Sequence, residues 1–209
     1  MKYKHIVFDI DGTLADTAKT AMISVQKMVY DLTGTLAPMD ELLPLFGMPC
    51  IDIAIMYHVP DPEYGVRLWQ KYDHELQDQV LLFPGIIEML DKLYKKGFKM
   101  GVATSRDRAE IAQQLPHYGI DQFFDVRIAV DMTERGKPYP DPLYKYMELS
   151  GAKPEEMIYI GDSKHDMECA LAAGVDSGFA AWGSSVDPKD VKSTYVLQTL
   201  EDVLKLFEV

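Results

Sequence analysis

The alternation of apolar and polar positions changes rhythm twice along the chain. Residues 4–9, Lys-His-Ile-Val-Phe-Asp, make a short apolar run that stops at Asp9, the length and composition of a buried strand. From Thr17 to Leu32 the apolar residues Ala21, Val25, Met28, Val29 and Leu32 recur at helical spacing, and Gly34 fits the position just past a helix end. Pro38, Pro44, Pro49, Pro60 and Pro62 break the next stretch into short helices, with a longer helix opening at Pro62 and running to about Gln79. After Phe83-Pro84-Gly85, helix and strand alternate. Helices are expected over 86–96, 106–117, 142–149 and 163–173, and strands over 98–104, 126–130 and 157–160. A weaker strand at 194–197 and a helix at 199–207 complete the series.

Strands alternating with helices predict βαβ units and a parallel sheet. The fold class is therefore α/β, a Rossmann-like parallel sheet core with an inserted α-helical cap. In such sheets the site lies at the C-terminal ends of the strands, near the point where the strand order reverses. The strand at 4–9 belongs with the pattern that resumes after residue 83, and the helical stretch between interrupts it. We expect an α/β core domain of residues 1–15 and 83–209 and a helical cap domain of residues 16–82.

The formal charge of −12 repels nucleic acid and anionic membrane, so neither is expected as a partner. The same field repels phosphorylated metabolites, so a phosphate site must build its own local positive charge. Cys50 and Cys169 form no CxxC or Cys/His cluster, which argues against structural zinc and a disulfide framework. The N-terminal residues lack an apolar signal region, and no uninterrupted apolar run of membrane-spanning length follows. A soluble, cytoplasmic protein is expected.

The candidate chemistry stands at the strand ends. The first strand closes on Asp9-Ile10-Asp11-Gly12-Thr13 and the second on Thr104-Ser105-Arg106; Lys137-Pro138 follows the third, and the fourth closes on Gly161-Asp162-Ser163 with Asp166 beyond. Taken singly, each has an ordinary reading: a cap or turn aspartate, a strand-end hydroxyl, a solvated lysine. Together they bring carboxylates, a hydroxyl and a lysine to one sheet edge. Clustered carboxylates repel unless a cation sits among them, and hard oxygen ligands suit magnesium.

This ordered set resembles the haloacid dehalogenase superfamily. Asp9-Ile10-Asp11-Gly12-Thr13 is similar to its first motif, DxDGT; Thr104 to its second; Lys137 in GKPYPDP to its third; and Gly161-Asp162-Ser163-Lys164-His165-Asp166 to its fourth, GDSxxD. The insert between the first two motifs is similar to the branch with small helical caps, which includes phosphoglycolate phosphatases, pyrophosphatases and β-phosphoglucomutases. The resemblance implies a magnesium-dependent phosphatase acting on a small phosphorylated metabolite, as a monomer or homodimer. It implies Asp9 as nucleophile and Asp11 as proton donor and acceptor. Thr104, Ser105 and Lys137 would bind phosphate. Asp9, Asp162 and the Asp11 backbone carbonyl would bind Mg2+, with Thr13, Ser163 and Asp166 supporting them from behind. Dehalogenases of the superfamily lack the second aspartate, so Asp11 argues against that activity. The alternatives are a β-phosphoglucomutase-like mutase and a non-catalytic phosphate-binding regulatory protein on the same fold.

Residues 16–83 carry four basic and ten acidic side chains, and no Lys or Arg falls between Lys27 and Arg67. A second anionic group on the substrate would be costly to bury there unpaired, so the expected leaving group is neutral or weakly charged. The same deficit argues against a mutase, which holds a second phosphate in its cap and has a histidine where Ala18, Lys19 and Thr20 stand. Arg106, Arg108 or Arg135 from the core could supply the missing cation. The apolar segment Phe46-Gly47-Met48-Pro49-Cys50 is the expected substrate loop, although packing between helices is the more usual explanation of such residues.

Overall fold

The computed structural model describes residues 2–46 and 48–209. Its elements in chain order are β1 (His5–Phe8), β2 (Ala15–Asp16), α1 (Ala18–Thr33), α2 (Met39–Leu42), α3 (Cys50–Met56), α4 (Pro62–Glu75), β3 (Leu81–Leu82), α5 (Ile86–Lys96), β4 (Lys99–Ala103), α6 (Arg108–His117), β5 (Val126–Ile128), α7 (Asp141–Ser150), β6 (Met157–Gly161), α8 (Lys164–Ala173), β7 (Asp176–Ala180), β8 (Tyr195–Leu197) and α9 (Leu200–Leu206). The chain divides into two compact units, one of residues 1–15 and 82–209 and one of residues 16–81.

The larger unit is built on a six-stranded sheet of order β5-β4-β1-β6-β7-β8, parallel at each pairing. The Rossmann-like α/β class expected from the alternation is the fold observed. β1 sits in the middle because Ile6, Val7 and Phe8 are fully buried and pair on both sides, Phe8 opposite Val102 of β4 and Ile160 of β6. The chain winds outward through β4 and β5 and then returns to the other side of β1 through β6, so the order reverses between β1 and β6. Alternate residues face opposite sides of the sheet. Val7, Ala103, Ile128 and Tyr159 meet Leu143 and Tyr146 of α7 and Cys169, Ala170 and Ala173 of α8 in one core. Gly101 makes this packing possible, since a Cβ there would stand 2.3 Å from the Tyr146 ring.

The expected helix to Gln79 ends at Glu75 and continues as a 3-10 turn over Gln77–Gln79. The strand expected over 126–130 stops at Ile128. Sequence patterning misses β7 altogether: Asp-Ser-Gly-Phe-Ala has only one strong strand former. Its small residues are required by neighbours, because a Cβ on Gly178 would fall 2.8 Å from Leu197 Cδ1.

In the smaller unit, Ala21, Met22, Val25, Met28 and Val29 of α1 pack with Leu42, Ile53, Ala54, Val59 and Tyr72. Gly34 caps α1 in the left-handed conformation, φ 74°, where its N–H donates to the Tyr30 carbonyl. Met22 and Met28 are core residues, whereas Met48 and Met56 are exposed. Gly47 of the expected substrate loop lies outside the described residues. Among the described residues no helix is long and apolar enough to cross a membrane.

Candidate active site

The C-terminal ends of β1, β4 and β6 bring the sequence-nominated residues together. Asp9 follows the last residue of β1, and its N–H donates to Ile160 O at 2.8 Å. Thr104 follows β4 in the same way, its N–H donating to Ile128 O at 3.1 Å. Asp162 follows β6. Asp9, Asp162 and Thr104 are 5%, 7% and 3% exposed. Gly12 lets the Asp11-Gly12-Thr13 turn fold back against β6. Its φ is 71°, and a Cβ on it would lie 2.2 Å from Asp162 Oδ2. Thr13 Oγ1 donates to Asp162 Oδ1 at 3.3 Å, and Trp182 Nε1 donates to the Thr13 carbonyl at 3.0 Å.

Lys137 arrives from the segment between β5 and α7. Its ammonium lies 3.0 Å from Asp9 Oδ1 and 2.7 Å from Asp166 Oδ1. Asp166 is fully buried on the first turn of α8. Ser163, not Asp162, caps this helix: the Ser163 N–H and hydroxyl both donate to Asp166 Oδ2, and the Asp166 N–H donates to Ser163 Oγ. Asp166 Oδ1 accepts from Lys137 and lies 2.9 Å from the Tyr159 hydroxyl, which also stands 2.8 Å from the Ala103 carbonyl. Sequence reasoning overlooked Tyr159. The available signal was period two: Tyr159 lies two residues after Met157 on β6 and shares its sheet face with Val7 and Ala103. That places a hydroxyl under the strand ends.

Burial in this cluster works against charge. It pushes the Asp9 carboxyl up to about 7, with Asp166 and Asp11 adding to the effect and Lys137 opposing it. It raises Asp162 well above the ordinary range, helped by Asp166 and Asp9. For Lys137 burial alone would lower the ammonium, but the Asp166 and Asp9 charges outweigh it and the net direction is up. Asp166 is also penalised by burial, yet Lys137 and the Ser163 hydrogen bonds bring it below its ordinary value.

These residues fit a divalent cation. One carboxylate oxygen each of Asp9, Asp162 and Asp166 lies within 4.8 Å of the others. Ionised together, the three buried carboxylates exceed the single lysine by two charges, so without a cation burial holds protons on Asp9 and Asp162. Asp9 Oδ1 is buried and receives no hydrogen bond, its contact with Lys137 being outside hydrogen-bonding geometry. Asp166 has its oxygens taken up by Lys137, Ser163 and Tyr159, so Asp9 and Asp162 are the side chains left to bind an ion. Hard oxygen donors of this kind suit magnesium.

Asp11 sits apart from this floor. Its carboxylate is 29% exposed and is held in a two-pronged pair by Arg106, Nε to Oδ2 and a terminal guanidinium nitrogen to Oδ1, both 2.7 Å. Its direct partner is therefore a guanidinium and not a neighbouring carboxylate. Ser105 is exposed between Thr104 and Arg106.

Fold and site together define a class. Residues 6–180 match the profile of the haloacid dehalogenase-like hydrolases, and the chain belongs to that family of enzymes. Among individual proteins, it is 29% identical to pyrophosphatase PpaX of Bacillus mycoides (strain KBAB4) over 209 residues, covering 99% of this chain and 97% of that one. A crystal structure from Lactobacillus plantarum, provisionally assigned as a phosphoglycolate phosphatase, superposes with a TM-score of 0.86 at 27% identity, covering 99% of this chain and all of that one. A Thermotoga maritima protein, provisionally assigned as a β-phosphoglucomutase, shares the fold with a TM-score of 0.80 at 21% identity, over 99% of each chain.

Proposed function

We propose that the protein is a magnesium-dependent phosphatase that hydrolyses small phosphomonoesters through an aspartyl-phosphate on Asp9, in the manner of phosphoglycolate phosphatases. One observation carries this reading: a buried carboxylate, Asp9, lies beside Lys137 and within 4.8 Å of Asp162 at the crevice between β1 and β6. The names of the relatives, a pyrophosphatase and a provisionally assigned phosphoglycolate phosphatase, support it.

An oxygen of Asp9 attacks phosphorus as the bond to the leaving oxygen breaks, and Asp11 gives that oxygen a proton. In the second half Asp11 takes a proton from the water that attacks the same phosphorus, releasing phosphate and restoring Asp9. Lys137 and Thr104 hold the phosphoryl oxygens, with the backbone about Ser105 beside them. Asp9, Asp162 and the Asp11 backbone carbonyl would hold magnesium, which supplies charge neutralisation to the phosphoryl group when bound. The reading carries with it a cytoplasmic enzyme, monomer or homodimer, whose partner is a small phosphorylated metabolite and neither nucleic acid nor membrane.

The test is phosphate release from a generic aryl phosphate with and without magnesium, in wild type and Asp9→Asn. Magnesium-dependent turnover that falls by at least about 10⁴-fold in the variant is expected, as for loss of a covalent nucleophile. Equal inactivity of both proteins across a broad phosphate panel would instead favour a phosphate-binding protein.

A further inference from the structure

The Arg106–Asp11 pair is more than an ordinary surface salt bridge. The Arg106 side chain is 10% exposed, whereas Arg108 and Arg135, which pair with Asp131 and Asp141, are 69% and 54% exposed. Its backbone is tied to the phosphate-binding end of β4, since the Arg106 N–H donates to Thr104 Oγ1 at 3.3 Å and its carbonyl accepts from Val130 N–H at 3.0 Å. Glu110 stands on its far side at 3.5 Å, itself fixed by the Asp107 N–H. The cation is thus built into the rim of the site, with two donors on one anion.

A guanidinium fork that grips a carboxylate through two parallel bonds fits any carboxylate or phosphate. Asp11, in its proposed role, must turn an oxygen toward the leaving group, yet both its oxygens are taken by Arg106. An anion arriving with the substrate can replace Asp11 in the fork like for like, so the buried guanidinium never goes unpaired. We propose that Arg106 is a specificity-determining residue whose fork receives a carboxylate or second phosphate on the leaving-group side of the substrate, Asp11 occupying that place until the substrate binds. The proposal rests on the phosphatase reading. It moves the missing cation from residues 16–83 to the core and selects doubly anionic substrates over neutral esters.

Binding can be separated from turnover with ligands that are not hydrolysed. Methylenediphosphonate and phosphonoacetate carry a second anion; methylphosphonate does not. Calorimetry in the presence of magnesium should show wild type preferring the first two, with Arg106→Met reducing that preference by about 10–100-fold, the usual worth of charge-assisted hydrogen bonds. Arg106→Lys keeps the charge without the fork and should recover only part of the preference, and thermal melts confirm that both variants fold. In kinetics, the kcat/KM ratio of pyrophosphate or phosphoglycolate to an aryl phosphate should fall by a similar factor, chiefly through KM. If Arg106→Met weakens all three phosphonates alike, or none, or if Lys restores the full preference, the assignment is overturned. Failure of the phosphatase reading would appear separately, as phosphate release that does not depend on Asp9.

Discussion

The floor of the site and its rim handle charge in opposite ways. On the floor, three carboxylates, each no more than 7% exposed, share one lysine, and would carry two unmatched charges if all three ionised. At the rim, one arginine faces two acids, Asp11 at 2.7 Å and Glu110 at 3.5 Å, and the pairing is already complete. The floor is held from below by buried hydrogen bonds through Ser163 and Tyr159. The rim is held by one turn of backbone and is partly open to solvent. A surplus of buried like charge is expensive unless a cation relieves it, so the floor is shaped for a resident ion. The rim pair opens to solvent on its Asp11 side, and an arriving anion can take over the Arg106 fork without leaving the guanidinium unpaired, so the rim is shaped for traffic.

The sharpest way to break this contrast is to remove one acid from each place. Asp162→Asn should abolish magnesium binding and turnover together. Asp11→Asn should still bind magnesium, since its proposed ligand atom is the backbone carbonyl, while losing about 10²–10⁴-fold in turnover, the usual worth of general acid–base catalysis. Magnesium titration by calorimetry beside steady-state kinetics checks both. A loss below about 10-fold for Asp11→Asn with an alkyl phosphate would remove it from the proton-transfer role.

A second prediction concerns stability in the absence of metal. Asp9 has its folded pKa raised to about 7 from 3.8, and Asp162 moves in the same direction. Folding therefore favours their protonated forms. That contribution is fully present below the ordinary carboxylate range and is lost as pH rises toward 7. In chelator, the melting temperature should fall as pH climbs through this window, and magnesium should reverse the fall. Melting curves that ignore magnesium across the window would show that the floor is satisfied without a cation.

The smallest effect is expected at Tyr159. Tyr159→Phe keeps the ring in its core and removes only the hydroxyl between Ala103 and Asp166. One neutral-to-charged hydrogen bond is worth about 1.5–3 kcal/mol at most, and Asp166 keeps three other donors. A fall in kcat of about 3–10-fold, with magnesium affinity unchanged, would mark the hydroxyl as a positioning group for Asp166 and Lys137. No change in kcat would confine it to the core.

The clustering of the nominated residues was legible because they lie at places where sequence patterns change. Asp9, Asp11, Thr104, Lys137 and Asp162 each follow a strand or the loop after one, and the parallel sheet brings those ends together. What could not be read depends on pairing across the sheet. β7 has too few strand formers to announce itself, and only its neighbours Leu197 and Ile160 explain Gly178. Tyr159 reads as a core aromatic until the fold brings the Ala103 carbonyl and Asp166 to its hydroxyl. Arg106 was one of three candidate arginines, and burial alone separated it from Arg108 and Arg135. Asp162 and Ser163 are both good caps for α8 by residue type, and only the Asp166 partner decides for Ser163.

The way residues 16–81 join the rest of the chain has its own consequence. Leu14 O accepts the N–H of Phe83 at 3.0 Å, so the residues flanking the excursion are stapled to each other by the sheet-bearing unit itself. The entropy of closing that loop is met once, by those flanks, and grows only with the logarithm of what lies between. An excursion of almost any length whose own ends lie close together can be carried there without disturbing the strand that bears Asp9. Segments of different length and composition can then be exchanged there while the strand that bears Asp9 keeps its place, because the flanks are held by that hydrogen bond and by the β2–β3 pairing.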